Sequence, residues 1–169
     1  MNKTAIVTGG GRGIGYAIAL MLAENGYNIV VNYNSSQEAA EKLSEKIEKL
    51  GCKALAVKAN VGNFDESFKL INKAHSTFGR VDLLVNNAGI TRDSLLLRMN
   101  EKDFDSVIDI NLKGTFNCIK HVSPIMIKQR FGKIINISSV IGLAGNIGQI
   151  NYAAAKAGII GITKSAAKE

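Results

Sequence analysis

Thr4-Ala5-Ile6-Val7-Thr8-Gly9-Gly10-Gly11-Arg12-Gly13-Ile14-Gly15 opens the chain with a short apolar run that passes straight into a glycine-rich loop. The residues that follow, Tyr16-Ala17-Ile18-Ala19-Leu20-Met21-Leu22-Ala23-Glu24, are good helix formers, so the segment reads strand, loop, helix. That context gives a glycine motif its meaning. Gly9 permits a tight turn, Gly13 lets backbone amides approach a pyrophosphate, and Gly15 lets the helix pack closely on the strand. The anion would rest on the helix N-terminus, between Gly11, Arg12 and Ile14, where unpaired amides and the helix dipole favour negative charge. The string T-G-x-x-x-G-x-G arises by chance only about 0.006 times in such a composition. Dinucleotide binding is the expectation, and a plain βα turn is the alternative.

Outward from this loop, short apolar runs alternate with longer helical patterns, the signature of repeated βαβ units and an α/β fold with a parallel sheet. Strands are expected at Thr4 to Thr8, Asn28 to Tyr33, Lys53 to Ala59, Asp82 to Asn86 and Lys133 to Ser138. They are apolar on consecutive positions, as in a sheet covered by helices on both faces. Helices are expected near residues 13–25, 36–50, 64–78 and 100–130, with a last one beginning near Asn151. Gly26 and Gly51 sit where the first two should end. Pro124, the one proline, should kink or split the fourth by removing an amide donor. No repeat or linker divides the chain, so residues 1–169 are expected to form a single domain. The last helix is still amphipathic at Glu169, and the fifth strand is an apolar edge, as if the chain were cut short.

The 169 residues, 46% of them apolar, suffice for one ordinary core and exclude disorder. No run reaches the roughly 18 to 20 apolar residues of a membrane helix, and no signal peptide is visible. A cytoplasmic protein without a membrane segment is expected. Cys52 and Cys118 stand far apart without metal-ligand spacing, so free thiols and no metal site are expected. The net charge of +7 comes from 21 Lys and Arg against 14 Asp and Glu, spread along the chain. With no Trp and only 6% aromatic residues, nucleic-acid binding is not expected. The second strand ends in Asn32-Tyr33-Asn34-Ser35-Ser36, without the carboxylate that would hold the adenosine ribose of NAD. Arg12 could pair with a 2′-phosphate, so NADP(H) is the favoured cofactor, unless Arg12 is simply a solvated loop cation.

Tyr152 and Lys156 are four residues apart at the start of the last helix and share one face. A phenol ordinarily ionises near pH 10, and a nearby ammonium favours its phenolate. Taken alone the pair is weak, since Tyr-x-x-x-Lys arises by chance about 0.4 times here. It gains weight from Ser138-Ser139, at the carboxyl end of the fifth strand, where open α/β sheets place ligands. With Thr8 to Gly15, Asn86-Asn87-Ala88-Gly89, Ile110-Asn111-Leu112-Lys113-Gly114 and Ser139 thirteen residues before Tyr152, the sequence resembles the short-chain dehydrogenase/reductase family.

The resemblance implies a Rossmann-type doubly wound sheet in the order 3-2-1-4-5, an NAD(P)-binding domain lacking the family's last two strands and so incomplete at its C-terminus. It implies Tyr152 as general acid to a substrate carbonyl, Lys156 as the group that lowers its pKa and binds the nicotinamide ribose, and Ser139 as donor to the carbonyl oxygen. Asn111 would hold a water in a proton relay, and Ser138 would be a strand-end backbone partner. Asn87, Ala88 and Gly89 would serve adenosine, ribose and the central sheet. Asn60-Val61 stands where the family usually has Asp before an apolar residue; the Asn60 amide oxygen would accept from the adenine amino group.

Within the family, Gly89 to Met99 and Gly148 to Gly158 resemble bacterial 3-oxoacyl-[acyl-carrier-protein] reductases. This implies NADPH-dependent reduction of a 3-oxoacyl thioester in fatty acid biosynthesis, an acidic acyl carrier protein as partner, docking on Lys128 and Arg130, and a homotetramer. Those two cations read equally well as solvated helix-end charges. The alternatives are a reductase of acetoacetyl-CoA or another ketone, and a catalytically incomplete nucleotide-binding fragment, for which poor solubility or dependence on other chains is expected.

Overall fold

The computed structural model describes residues 2–169. Five parallel strands, β1 (Thr4–Val7), β2 (Asn28–Tyr33), β3 (Ala54–Lys58), β4 (Leu83–Asn86) and β5 (Lys133–Asn136), pair in the order β3-β2-β1-β4-β5. This is the expected doubly wound α/β sheet. The register places Thr4 beside Asn28 and Ala5 beside Leu83, so the chain reverses its direction of travel between β1 and β4. That reversal opens a crevice at the carboxyl ends of the two strands.

The helices are α1 (Gly13–Glu24), α2 (Gln37–Lys49), α3 (Phe64–Phe78), α4 (Glu101–Val107), α5 (Gly114–Gln129), α6 (Ile141–Ala144) and α7 (Ile150–Ala166). Strand residues alternate between two cores. Ala5, Val7, Ile29 and Val31 face one core with Ala19, Leu43 and Ile47, whereas Ile6, Val30 and Leu84 face the other with Leu70, Ile71, Val122 and Met126. Both faces of a strand therefore demand apolar residues, which is why the sequence pattern is continuous. Full coverage holds for β1, β2 and β4 but not for the edges. β3 is half-buried, and β5 alternates exposed and half-buried positions, with Ile135 48% exposed. No helix among the described residues is long and apolar enough to cross a membrane.

Helix α1 ends in a full Schellman motif: Gly26, at φ +80°, donates to the Ala23 carbonyl, and Tyr27 donates to that of Leu22. The region expected as one helix over 100–130 is three pieces: α4, a π-helical turn at Ile108–Lys113, and α5. Pro124 does not split α5, which runs through it. Pro124 and Lys120, whose carbonyl loses its donor, are both exposed, so water can serve that carbonyl. The break lies instead at the π turn, around Asn111. Strand β5 stops at Asn136, two residues before the expected end, and α7 begins one residue before Asn151.

Candidate active site

Four of the five βα loops at the carboxyl edge are tied to one another. The Thr8 hydroxyl donates to the Val85 carbonyl (3.3 Å) and accepts from the amides of Asn87 (2.9 Å) and Ala88 (3.0 Å). Asn87 returns its carboxamide NH₂ to the carbonyls of Thr8 (2.9 Å) and Gly9 (3.2 Å). The buried Asn32 side chain accepts from the Gly9 amide (3.2 Å) and donates to the Ala59 carbonyl (2.9 Å). Loops after β1, β2, β3 and β4 thus form one rigid rim. Thr8 and Asn32 hold that rim. The sequence signals for them are a hydroxyl at the strand end and a polar residue interrupting the apolar run Val30-Val31-Asn32-Tyr33.

Two adjoining clefts, of about 410 and 590 Å³, share Arg12, Ile14, Asn87, Gly89 and Ile90 and make one trough over the crevice. The first is walled by Gly9, Gly11, Gly13, Asn34, Ser35, Ser36, Asn60, Val61 and Ala88, the second by Thr91, Arg92, Ser138, Ser139, Tyr152 and Lys156. No carboxylate lines either, while Arg12, Arg92 and Lys156 do. Such a lining suits a polyanionic ligand. The trough receives the N-terminus of α1, where Arg12 occupies the N-cap without a side-chain cap and no acidic residue stands in the first turn. At Gly13, φ +55°, nothing lies within 4 Å of where a Cβ would stand, so the backbone there is bared to the trough. Gly15 is a spacer of another kind: its Cβ would come within 2.5 Å of both the Gly9 carbonyl oxygen and the Asn87 carboxamide nitrogen. The close approach expected of it is therefore to the loop itself and Asn87. Gly15 and Asn111 stand behind the trough wall, and the other residues named for cofactor and catalysis line it.

In the second cleft, Lys156 is 4% exposed, its Nζ donating to the Ile137 carbonyl at 2.7 Å and lying 5.5 Å from the centroid of the Tyr152 ring. Burial pushes the ammonium below its ordinary value, and among the described residues no carboxylate pairs with it. Ser138 Oγ donates to the Lys156 carbonyl at 2.8 Å, so its proton is already engaged. Ser139 Oγ instead accepts from the Ile141 amide at 3.2 Å, leaving its own proton to donate. Ahead of Tyr152, the fully buried Asn151 accepts from the Tyr152 amide (2.7 Å) and donates to the Arg92 carbonyl (3.0 Å), which fixes the start of α7.

Asn111 is fully buried in the π turn and holds both backbone groups of Ile90, accepting from its amide at 2.8 Å and donating to its carbonyl at 3.0 Å. Its side chain braces the loop after β4 and keeps one amide hydrogen and one lone pair beyond these two bonds, while its main-chain carbonyl accepts from the Thr115 hydroxyl at 2.8 Å. Asn60 Oδ1 already accepts from the Gly62 amide at 3.0 Å, leaving one lone pair for an adenine amino group. Lys128 and Arg130 are exposed at the far end of α5, beside the start of β5. Six residues of extended chain, about 20 Å, separate that edge from Ser139. The structure does not bring them to the trough. Cys52 and Cys118 are buried free thiols, and burial pushes Cys118 up to about 12. No cluster of three or more His, Cys, Asp or Glu that could hold a metal occurs among the described residues.

The fold, the glycine loop and the Ser139, Tyr152 and Lys156 constellation define a class: residues 3–169 match the family model described as short chain dehydrogenase, and the chain belongs to this family of oxidoreductases. Particular relatives are closer still. Over all 169 residues it is 57% identical to the 3-oxoacyl-[acyl-carrier-protein] reductase FabG of Staphylococcus aureus and 56% identical to that of Staphylococcus epidermidis, spanning 69% of each relative's length. It is 56% identical over 167 residues to the 3-oxoacyl-[acyl-carrier-protein] reductase of a Synechocystis strain, covering 99% of this chain and 68% of the relative.

Proposed function

We propose that residues 1–169 act as one NAD(P)-binding domain that reduces a 3-oxoacyl thioester, carried by an acyl carrier protein, to the 3-hydroxyacyl thioester in fatty acid biosynthesis, using NADPH. The observation that carries this reading is that the glycine loop and the Ser139, Tyr152 and Lys156 group open into one trough without a carboxylate. Bound NADPH would supply the hydride to the carbonyl carbon. Gly9, Gly11, Gly13, Ile14 and the start of α1 would hold its pyrophosphate, with Gly15 keeping that helix close. Arg12 would face the 2′-phosphate, at a strand end whose Asn34, Ser35 and Ser36 do not repel it. Asn60, Val61, Asn87, Ala88 and Gly89 would flank the adenosine and ribose.

At the other end, Ser139 donates to the carbonyl oxygen and Tyr152 delivers the proton as negative charge develops there. Lys156, a buried cation without a carboxylate partner, stabilises the phenolate left behind and reaches the nicotinamide ribose. A water relay to Lys156 would rest on Asn111, whose side chain keeps one amide hydrogen and one lone pair beyond its bonds to Ile90. Cytoplasmic location and a homotetramer belong to the same reading. Lys128 and Arg130 lie about 20 Å of extended chain from Ser139, so an acidic carrier docked there would present its thioester to the trough on its own flexible prosthetic arm. A second reading is a CoA thioester, which needs no such docking.

The test is NADPH oxidation by the purified chain with acetoacetyl thioesters of carrier protein and of CoA, with NADH and Tyr152→Phe as controls. Turnover that requires NADPH and Tyr152 and prefers the carrier substrate is expected. Equal use of CoA favours the second reading. NADPH binding without turnover makes this chain a nucleotide-binding domain only, and absence of binding refutes the proposal.

A further inference from the structure

One feature of the π turn is engaged by neither hydride nor proton transfer: it grips two loops at once. On one side Asn111 clamps Ile90, where the two clefts of the trough meet. On the other, the turn Asn60-Val61-Gly62 is seated on the same helix. A Cβ at Gly62 would lie 3.0 Å from the Asp109 carbonyl oxygen, and a Cβ at Gly114 only 2.7 Å from Val61 Cγ2. Asn117, one turn further along α5 and 1% exposed, donates its carboxamide NH₂ to the Val61 carbonyl at 2.9 Å, with a second, longer contact to that of Gly62 at 3.4 Å. Its Oδ1 has no hydrogen-bond partner. A buried carboxamide with an orphaned oxygen is costly, and an apolar residue would avoid that cost. What the carboxamide does provide is donors for two carbonyls that otherwise lie buried against a helix.

We infer that Asn117, with the notch at Gly114, is a positioning residue for the adenosine end of the cofactor, fixing the Val61 turn against α5 so that this wall of the trough is preformed. The inference rests on the assignment of Asn60 and Val61 to the adenosine side. Without the two donors the turn is free to lift from α5, and a ligand must then order it on binding. Asn117 does not line the trough, so its effect falls on affinity for the adenosine half and not on the proton chemistry at Tyr152.

The experiment titrates the chain with 2′,5′-ADP by calorimetry and records the melting temperature of each variant. Asn117→Asp keeps the shape and leaves at most one hydroxyl donor in place of the carboxamide NH₂; Asn117→Leu removes both polar atoms; Gly114→Ala pushes the same turn off the same face of α5. Val122→Ala, a cavity in the same core more than one turn of α5 beyond Asn117, matches them for lost stability. Binding about tenfold weaker in Asn117→Asp and Gly114→Ala, with Val122→Ala binding like the parent, is the expected result. Should Asn117→Leu not fold, the Asp and Gly114 variants carry the test. Parent-like affinity in Asn117→Asp, or equal weakening in Val122→Ala, overturns the inference. A parent chain that does not bind 2′,5′-ADP overturns the cofactor assignment itself, a distinct outcome.

Discussion

Replacing Gly15 by alanine tests whether the glycine loop is held by shape or merely by flexibility. The added Cβ would stand 2.5 Å from the Gly9 carbonyl oxygen and 2.5 Å from Asn87 Nδ2, with Gly10 Cα at 3.1 Å. Two of these neighbours are backbone, and the third is a side chain held by Thr8 and Gly9, so none can withdraw without losing a contact. Overpacking of this kind costs about 1–3 kcal/mol, and loss of the Asn87 bonds to Thr8 and Gly9 adds about 1 kcal/mol, for a total of ~2–4 kcal/mol. Gly13→Ala is the matched comparison. There the added Cβ meets nothing within 4 Å, and only the φ of +55° is strained, at about 1 kcal/mol. Urea unfolding should therefore place Gly15→Ala well below Gly13→Ala, with NADPH affinity reduced in both. If Gly15→Ala were as stable as Gly13→Ala, the claim that α1 and Asn87 are packed against the loop at contact distance would be wrong.

Ser139→Ala is expected to lower kcat about 100- to 1000-fold, as for loss of a donor to a developing oxyanion. Ser138→Ala should instead lose about 1 kcal/mol of stability, because its proton serves the Lys156 carbonyl; steady-state kinetics with urea melts separates the two, and a reversed pattern would exchange their roles. Asp82 is buried, which by itself raises its pKa, but the Arg80 guanidinium, the Thr4 amide and nearby positive charge hold it below the usual carboxylate range. A depressed carboxylate adds stability that is full above about pH 4 and is lost as pH falls through the folded-state value. Asp82→Asn should cost ~1–2 kcal/mol at pH 7, after allowance for the partly exposed Arg80, and the gap to the parent should close in acid; a gap independent of pH contradicts this assignment.

Much of this architecture was legible because the physics that makes it is local. The consecutive apolar residues of β1, β2 and β4 exist because each strand serves two cores, and Gly26 and Gly51 sit at φ values of +80° and +84° that only glycine takes readily. Tyr152, Lys156 and Ser139 were readable through the family resemblance and not from their spacing alone, and the structure gathers them in one cleft. What the chain hid is non-local. Thr8 and Asn32 act through backbone groups of other loops, and nothing in their own neighbourhood announces those partners. Coverage of β3 and β5 depends on what packs beside them, not on their composition. The single helical pattern over 100–130 concealed a π turn because apolar periodicity survives one extra residue in the hydrogen-bond ladder, while Pro124 drew attention to an exposed position where its missing amide matters little.

That extra residue has an evolutionary consequence. An insertion in a helix turns everything after it by about 100°, so α5 stands out of phase with α4 by one position. Deleting any residue between Ile108 and Lys113 would restore an unbroken α-helix, a local improvement that simple helix energetics would reward. It would also rotate Gly114 and Asn117 away from the Val61 turn, or else Asn111 away from Ile90, since one rigid helix cannot meet both loops. Drift toward a better helix at this point would leave a protein that folds its secondary structure more easily and loses the alignment between the two halves of its trough.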